Sequence, residues 1–301
     1  DYEKARLVCL EEVQLARQLD DPIRVGSALV TQLFIAIQQG ELESAEALLH
    51  ELRQLDLQVG RFADTLLWLE GHWRLRRGEP EQALQAALEL VARHLPYDRP
   101  HELGGAWDLA ALAAIAQGDL PTALRYAENA LDARRQQEDA YRLHFSKTHY
   151  YGIRAMLQPD PEAAQALEAC LVFWQEREAR PWQANTLYYL AHAYKALGDL
   201  PRAKSALEEA IQLNQAMGRQ IALQQCRALA DEAGLKIINV DSTLVAEAPK
   251  VLPHREAMRA NIGAALGLDP QRVGIKATTN ETMGFIGRRE GIAAMAVAQV
   301  E

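Results

Sequence analysis

The sequence predicts a protein in two parts, an α-α superhelical solenoid followed by a small α+β module. Three observations lead to this prediction. A pattern of glycine, acid, turn residues and alanine recurs about every 40 residues in the first part. Near residue 235, β-branched runs and tight-turn glycines replace a segment rich in strong helix formers. The net charge of -9 lies upstream, because residues 237–301 contain seven basic and seven acidic side chains.

The helical part is predicted from this repeat. Copies occur at residues 40–45, 78–83, 118–123 and 198–203, with a degenerate copy at 158–163. Their alanines, together with Ala5 as the remnant of an earlier copy, are spaced 40, 38, 40, 40 and 40 residues apart. Glycine supplies the positive φ that ends one helix, and proline starts the next without losing an available hydrogen bond. Each unit is therefore predicted to be two helices that cross at the alanine.

Residues 1–218 resemble tetratricopeptide repeats, although the period departs from the usual 34 residues. Forty-residue versions are similar to the helical-repeat regions of bacterial regulators of the maltose-activator type. Counting back from Ala203 places four residues on the large, large, small and aromatic positions of a first helix: Leu187, Leu190, Ala191 and Tyr194. The resemblance implies a curved array whose inner face binds a protein or peptide.

The register places five side chains on the inner face of this array. They are Trp68, His72, Tyr188, His192 and Lys195. A groove of aromatic rings and histidines suits a peptide. The competing interpretation is that these residues are half-buried and only bridge neighbouring repeats.

The second part is predicted to follow the order strand, helix, strand, loop and a final apolar strand or helix. The predicted segments are a strand at 236–246, a proline-bounded loop at 247–253, a helix at 254–266, a strand at 273–277, a glycine-containing loop at 278–289 and the last element at 291–300. The predicted domains are 1–218, a connecting helix at 219–236, and 237–301. The connecting helix is either the last helix of the solenoid or part of the module.

Three motifs of the second part resemble the C-terminal part of the methylerythritol cyclodiphosphate synthase family. They lie at residues 239–241 (Asn-Val-Asp), at 246–254 (Ala-Glu-Ala-Pro-Lys-Val-Leu-Pro-His) and at 276–292, which contains Lys-Ala-Thr-Thr-Asn-Glu and Gly-Phe-Ile-Gly-Arg. The resemblance implies a partial ferredoxin-like α+β fold. It also implies a phosphorus-oxygen lyase of non-mevalonate isoprenoid biosynthesis, which cyclises a CDP-linked methylerythritol phosphate and releases CMP. The family is a homotrimer with active sites between subunits.

The resemblance also assigns site residues, position by position. The cytosine-holding loop would comprise Ala246, Ala248, Pro249, Lys250, Val251 and Leu252, and the phosphate side Ala277, Thr278, Phe285 and Arg288. Thr279 would be the catalytic residue near the transferring phosphate, and Glu281 would hold a divalent metal, Mg²⁺ or Mn²⁺. The residue types agree, because hydroxyls, backbone N–H groups and an arginine suit a diphosphate, and a carboxylate can hold Mg²⁺ between phosphate oxygens.

The sequence departs from the family in its first half. The family's zinc ligands, an Asp-x-His pair and a further His, are not found in residues 1–236. The chain alone is therefore expected to be catalytically incomplete, because a Lewis acid lowers the barrier by several kcal/mol. Two alternatives stay open: a non-enzymatic interaction module of a bacterial regulator with the tail as a passenger, or two unrelated reading frames joined artificially.

Composition excludes several other classes of function. A pI near 5.5 argues against a nucleic-acid partner. Three widely spaced cysteines without a C-x-x-C pair favour the cytoplasm. No apolar run approaches the roughly 18 residues that a membrane span needs. The first residue is Asp1 rather than Met, so we expect an excerpt or a processed chain.

Overall fold

A computed structural model describes residues 2–97, 99–135, 137–232 and 237–300 of the chain. A mostly helical part is followed by a small three-stranded sheet. Within the described residues, the helical part has twelve α-helices: α1 Tyr2–Gln18, α2 Pro22–Gln39, α3 Leu42–Val59, α4 Ala63–Arg76, α5 Pro80–His94, α6 Pro100–Ala116, α7 Leu120–Arg135, α8 Ala140–Leu157, α9 Pro161–Glu176, α10 Arg180–Ala196, α11 Leu200–Ala216 and α12 Gln220–Glu232.

The predicted turns between helices are confirmed. The glycines of the four full repeat copies, at positions 40, 78, 118 and 198, have φ between 76° and 81°. This left-handed conformation ends each helix and is natural only for glycine. The repeat alanines at positions 45, 83, 123, 163 and 203 are at most 1% exposed, whereas Ala5 is half-buried. The small residue therefore lies inside the packed helices, as the spacing predicts.

The two ends of the helical part meet. The side-chain amide of Gln39, at the end of α2, donates to the carbonyl of Met217, between α11 and α12, at 3.4 Å. Beside this contact, Arg219 donates to the side-chain carbonyl of Gln38 at 3.3 Å. Even-numbered neighbours such as α2 and α4, α4 and α6, and α8 and α10 also contact one another. The helices thus curve round until the last one returns to the second.

The C-terminal module contains strands β1 Ile237–Val245, β2 Val273–Thr278 and β3 Ala293–Val300, with helices α13 Arg255–Leu266 and α14 Gly284–Gly287. The strand order is β2-β1-β3. β1 is parallel to β2 and antiparallel to β3, and Val240 is paired with both Val273 and Ala298. The last element is therefore a strand, which the sequence left open between a strand and a helix.

The two faces of the sheet differ in their cover. Val240, Val273 and Ala298, which are register partners, are buried. On the alternate positions of β3, Met295 and Val297 are 65% and 58% exposed. Helix α13 lies against β2, and α11 of the helical part lies against β3. The solvent-facing side of the sheet is therefore mixed, because Met295 and Val297 share it with the ion-paired Asp241 and Lys276.

The predicted connecting segment at 219–236 contains α12, and its residues 233–236 lie outside the described part of the chain. No helix among the described residues is both long and apolar enough to cross a membrane.

Candidate functional site

Two loops of the C-terminal module leave the sheet at the same edge. β1 and β2 are parallel and Val245 pairs with Thr278, so the segments that follow them begin side by side. The backbone N–H of Ala246 donates to the carbonyl of Thr278 at 3.0 Å. The start of β3 lies there too, because Ala293 is the antiparallel partner of Val245. The fold therefore gathers the sequence motifs at one end of the sheet.

The first loop, residues 246–252, contains the six residues predicted to hold a cytosine. Ala246 is buried where the loop leaves β1, and a cis peptide bond joins Ala248 to Pro249. Lys250 is exposed, and Leu252 is 62% exposed. The loop ends in a turn in which the N–H of His254 donates to the carbonyl of Val251 at 2.9 Å. Its middle section is thus accessible to a ligand.

The second loop carries the residues predicted for the phosphate side. Ala277 and Thr278 end β2, and the hydroxyl of Thr279 donates to Oε1 of Glu281 at 2.9 Å. Glu281 and Thr282 have φ of 49° and 64°, a region that side chains other than glycine rarely adopt. This tight turn holds an exposed carboxylate beside the Thr279 hydroxyl.

The contacts that tie the two loops together involve residues that the sequence analysis missed. The N–H of Asn280 donates to Oε2 of Glu247 at 3.4 Å, so the second loop leans on the first. The side-chain amide of Asn280 donates to the carbonyl of Met283 at 2.8 Å. An Asn in a glycine-containing loop is the usual signal of such a turn. Glu247 has no comparable signal, because its partner depends on the strand register.

The end of the second loop positions the last two predicted residues. A Cβ on Gly287 would lie 2.1 Å from the carbonyl carbon of Thr282, so the turn formed by α14 closes tightly on the preceding backbone. Phe285 is 56% exposed on this turn. Arg288 donates from Nε and Nη2 to the two carboxylate oxygens of Glu290, each at 2.9 Å, and this contact raises the pKa of Arg288. A bound phosphate would have to compete with Glu290 for that guanidinium.

The metal-binding capacity of the site rests on Glu281. The described residues contain no group of three or more His, Cys, Asp and Glu side chains that could hold a metal ion. Mg²⁺ is commonly bound through one or two carboxylates together with substrate phosphates. The exposed Glu281 fits such an ion. A zinc site needs three or four protein ligands, which the described residues do not bring together.

The helical part encloses a second candidate site, a cavity of about 730 Å³ that we call the central cavity. Most of its lining residues come from α2, α4, α6, α8, α10 and α12, and α5, α7 and α11 add a few more. Three of the five predicted groove residues line it, namely Trp68, His72 and Tyr188. The other two, His192 and Lys195, are not among its lining residues. His192 is nevertheless connected to the lining, because its ring packs edge-on against Tyr188 with centroids 4.8 Å apart.

Aromatic contacts shape one wall of the central cavity. Trp68 stacks on Phe34 with ring centroids 5.9 Å apart, and His72 packs against Trp68 at 4.3 Å. His72 is only 9% exposed. Burial and the positive charge of Arg76, with a smaller effect of His149, lower the pKa of His72 to about 3. The imidazole is therefore neutral at physiological pH.

Comparison with known proteins bears on the C-terminal part. Residues 200–301 match the model of the YgbB family. A 2-C-methyl-D-erythritol 2,4-cyclodiphosphate synthase of Akkermansia muciniphila is 59% identical over 73 residues, which are 24% of this chain and 43% of the relative. The enzyme of the same name from Burkholderia ambifaria is 48% identical over 103 residues, covering 34% of this chain and 62% of the relative.

A crystal structure of the Plasmodium vivax cyclodiphosphate synthase aligns with 39% of this chain and 67% of its own, at 26% identity and a TM-score of 0.24. The chain spans between 20% and 63% of the length of the curated relatives that it matches. The family match begins at residue 200 and so includes α11 and α12 as well as the sheet. The predicted resemblance is thus confirmed: residues 200–301 of this chain are similar to part of the YgbB family of cyclodiphosphate synthases.

Proposed function

We propose that residues 237–301 form half of a cyclodiphosphate synthase site, which binds a CDP-linked methylerythritol phosphate of isoprenoid biosynthesis. One observation carries the proposal. The Ala246–Thr278 hydrogen bond holds the loop that matches the family's cytosine side against the loop that matches its phosphate side. A ligand with a base at one end and a diphosphate at the other would span these two loops.

The chain's own residues have distinct tasks in this proposal. The exposed backbone around Lys250 reads the cytosine, and its ammonium offsets charge on the ligand. The hydroxyls of Thr278 and Thr279 donate to phosphate oxygens. Arg288 exchanges its bidentate contact with Glu290 for one with phosphate. Phe285, exposed on the same turn, covers the ligand from solvent.

Glu281 would hold the divalent cation, Mg²⁺ or Mn²⁺, which would neutralise charge on the diphosphate when bound. Before the ligand binds, the Thr279 hydroxyl donates to Oε1 of Glu281 at 2.9 Å and so holds the carboxylate beside the phosphate side. No step is assigned to zinc, because the described residues do not fit a zinc site. We therefore propose that this chain alone binds the nucleotide but does not complete the cyclisation with release of CMP.

A calorimetric titration of CDP with Mg²⁺ tests this proposal. We expect saturable binding that Glu281→Gln weakens at least tenfold in the presence of Mg²⁺, because a carboxylate ligand is lost. Glu256→Gln is the matched control, since that carboxylate is also exposed but lies on α13 and pairs with Arg255 and Arg259. An absence of heat with CDP, or equal binding by both variants, would refute the half-site. Turnover by this chain alone would refute its incompleteness.

We also propose that the module assembles as a homotrimer in the cytoplasm. Met295 and Val297 support this, because a monomer rarely leaves two large apolar side chains exposed side by side on a strand. Light scattering of the whole chain should give three times its mass. Met295→Glu should yield monomers, whereas Leu57→Glu, an exposed leucine on α3, should not. A monomeric parent protein would overturn this part of the proposal.

A second candidate function is a non-enzymatic tetratricopeptide module that binds a protein or peptide, with residues 237–301 as a passenger. The central cavity favours it, because Trp68, His72 and Tyr188 line one continuous space. The predicted groove residues His192 and Lys195 would then contact the ligand outside the cavity. The CDP titration of the whole chain separates the two candidates, since only the first requires nucleotide binding.

A further inference from the structure

Arg219 places a positive charge in the central cavity, and no carboxylate of the described residues is hydrogen-bonded to its guanidinium. It is 2% exposed. Its Nη1 donates to the carbonyl of Pro181 at 3.2 Å and to Oδ1 of Asn214 at 3.0 Å. Its Nη2 donates to Oε1 of Gln38 at 3.3 Å and to Oδ1 of Asn185 at 3.1 Å. All four acceptors are neutral, and the buried Nε has no hydrogen-bond partner among the described residues.

Arg76 adds a second guanidinium to the same cavity. It lies on α4 four residues after His72 and eight after Trp68, so the three side chains follow one face of the helix. The structure records no ion pair or hydrogen bond of its guanidinium with any described side chain. Burial and the positive charge of Arg219 lower the pKa of Arg76 to about 10. Both guanidiniums line the same cavity, so their positive charges face one enclosed space.

Three acidic residues line the cavity, and none of them is hydrogen-bonded or ion-paired with Arg76 or Arg219 in the described part of the chain. Asp64 binds Arg93 at 2.9 Å, and Glu102 lies 3.9 Å from His101. Asp108 accepts from the hydroxyl of Ser146 at 2.9 Å, and its other oxygen lies 3.8 Å from Nδ1 of His149. The remaining weak acids near Arg219 are not counter-ions. Burial raises the pKa of Cys226 to about 11 and also raises that of Tyr2, so both are neutral at pH 7.

A buried cation without a counter-ion is costly, and a guanidinium fork is well suited to carboxylate and phosphate oxygens. We propose that the central cavity binds a small organic anion, whose carboxylate or phosphate group lies between Arg76 and Arg219 and whose aromatic body lies against Trp68. The size agrees, because about 730 Å³ is within the usual range for small-molecule pockets. Tyr141 and Gln225 line the cavity and are exposed, so a ligand can enter from solvent.

This inference shares with the second candidate function the assumption that the central cavity binds a ligand. It does not depend on the nucleotide half-site. It is tested by calorimetry on the whole chain with three probes of one shape: 1-naphthoate, 1-naphthyl phosphate and neutral 1-naphthol. We expect at least one anion to bind more than tenfold tighter than 1-naphthol. The carboxylate and phosphate arms identify which oxyanion the arginines prefer.

Arg76→Gln should weaken binding of the preferred anion by about tenfold or more, as expected for one charge-assisted hydrogen bond. Arg77→Gln is the matched control, because the neighbouring guanidinium pairs with Glu79 instead. Arg219→Lys, which keeps the charge but loses the fork, should also weaken binding. Equal affinity for anions and 1-naphthol, or unchanged binding in Arg76→Gln, overturns the inference. CDP binding by Arg76→Gln should equal that of the parent protein. The CDP titration therefore tests the nucleotide half-site independently of the cavity.

Discussion

Arg219 donates a hydrogen bond to Gln38, a residue 181 positions earlier in the chain. The same guanidinium reaches Pro181 and Asn185 at the start of α10 and Asn214 near the end of α11. One side chain therefore joins α2, near the beginning of the helical part, to α10 and α11, near its end. It stands at the point where the curved row of helices returns to itself.

We expect Arg219→Ala to destabilise the helical part by about 3 kcal/mol, because bonds to a charged donor are lost and a void remains. The measurement is urea unfolding followed by far-ultraviolet circular dichroism. Arg202→Ala is the control: its ion pair with Asp199 is mostly exposed, and surface pairs contribute about 1 kcal/mol or less. If both variants lose the same stability, Arg219 does not join the two ends.

Loss of the Arg76 guanidinium should have the opposite effect and stabilise the helical part. Its folded-state pKa of about 10 is below the ordinary value of 12.5, so below pH 10 the protonated group is less favourable in the folded state than in the unfolded one. Arg76→Gln removes a desolvated cation that faces Arg219, and we expect the free energy of unfolding at pH 7 to rise by about 1 kcal/mol. A loss of stability in urea unfolding would contradict this, provided that Arg77→Gln changes it little.

The repeat spacing was sufficient to predict the helices, because glycine turns and buried alanines are local requirements of each hairpin. Gly78 and Ala83 are in the conformation and the burial that the pattern indicates. The central cavity could not be predicted in this way. Arg76 and Arg219 are distant in sequence, and arginine is ordinarily a solvent-exposed residue. Only the curvature of the whole array brings them together.

The candidate half-site also combines local contacts, which the sequence predicts, with long-range contacts, which it does not. Its motif residues, such as Thr279 and Glu281, are close in sequence, so the hydrogen bond between them is a local event. The contact of Asn280 with Glu247 depends on the parallel pairing of β1 with β2. Strand register is decided by the burial of whole faces and not by any one pair. For that reason the sequence indicated the loops but not the bond that links them.

His72 should make the stability of the helical part depend on pH. Its folded-state pKa of about 3 lies below the model-peptide value of 6.5, so the unfolded state takes up the proton first as the pH falls. This contribution to stability is complete above pH 6.5 and is lost towards pH 3, by about 2 kcal/mol between pH 6.5 and pH 5. In His72→Gln that part of the acid destabilisation should be absent in urea unfolding at the two pH values. His50→Gln, with an exposed side chain on α3, should retain the slope of the parent protein.

Gly287→Ala tests whether the turn formed by α14 positions the nucleotide half-site. The new Cβ would lie 2.1 Å from the Thr282 carbonyl carbon and 2.6 Å from its Cα, and backbone atoms cannot rotate away as a side chain would. The turn must therefore open, which moves Phe285 and Arg288. We expect CDP binding in the presence of Mg²⁺ to fall at least tenfold, while the helical circular dichroism signal is unchanged. Gly105→Ala on α6, whose Cβ would make only ordinary contacts of 3.5 Å and longer, should bind CDP normally. Normal binding by Gly287→Ala would mean that this turn does not contribute to nucleotide recognition.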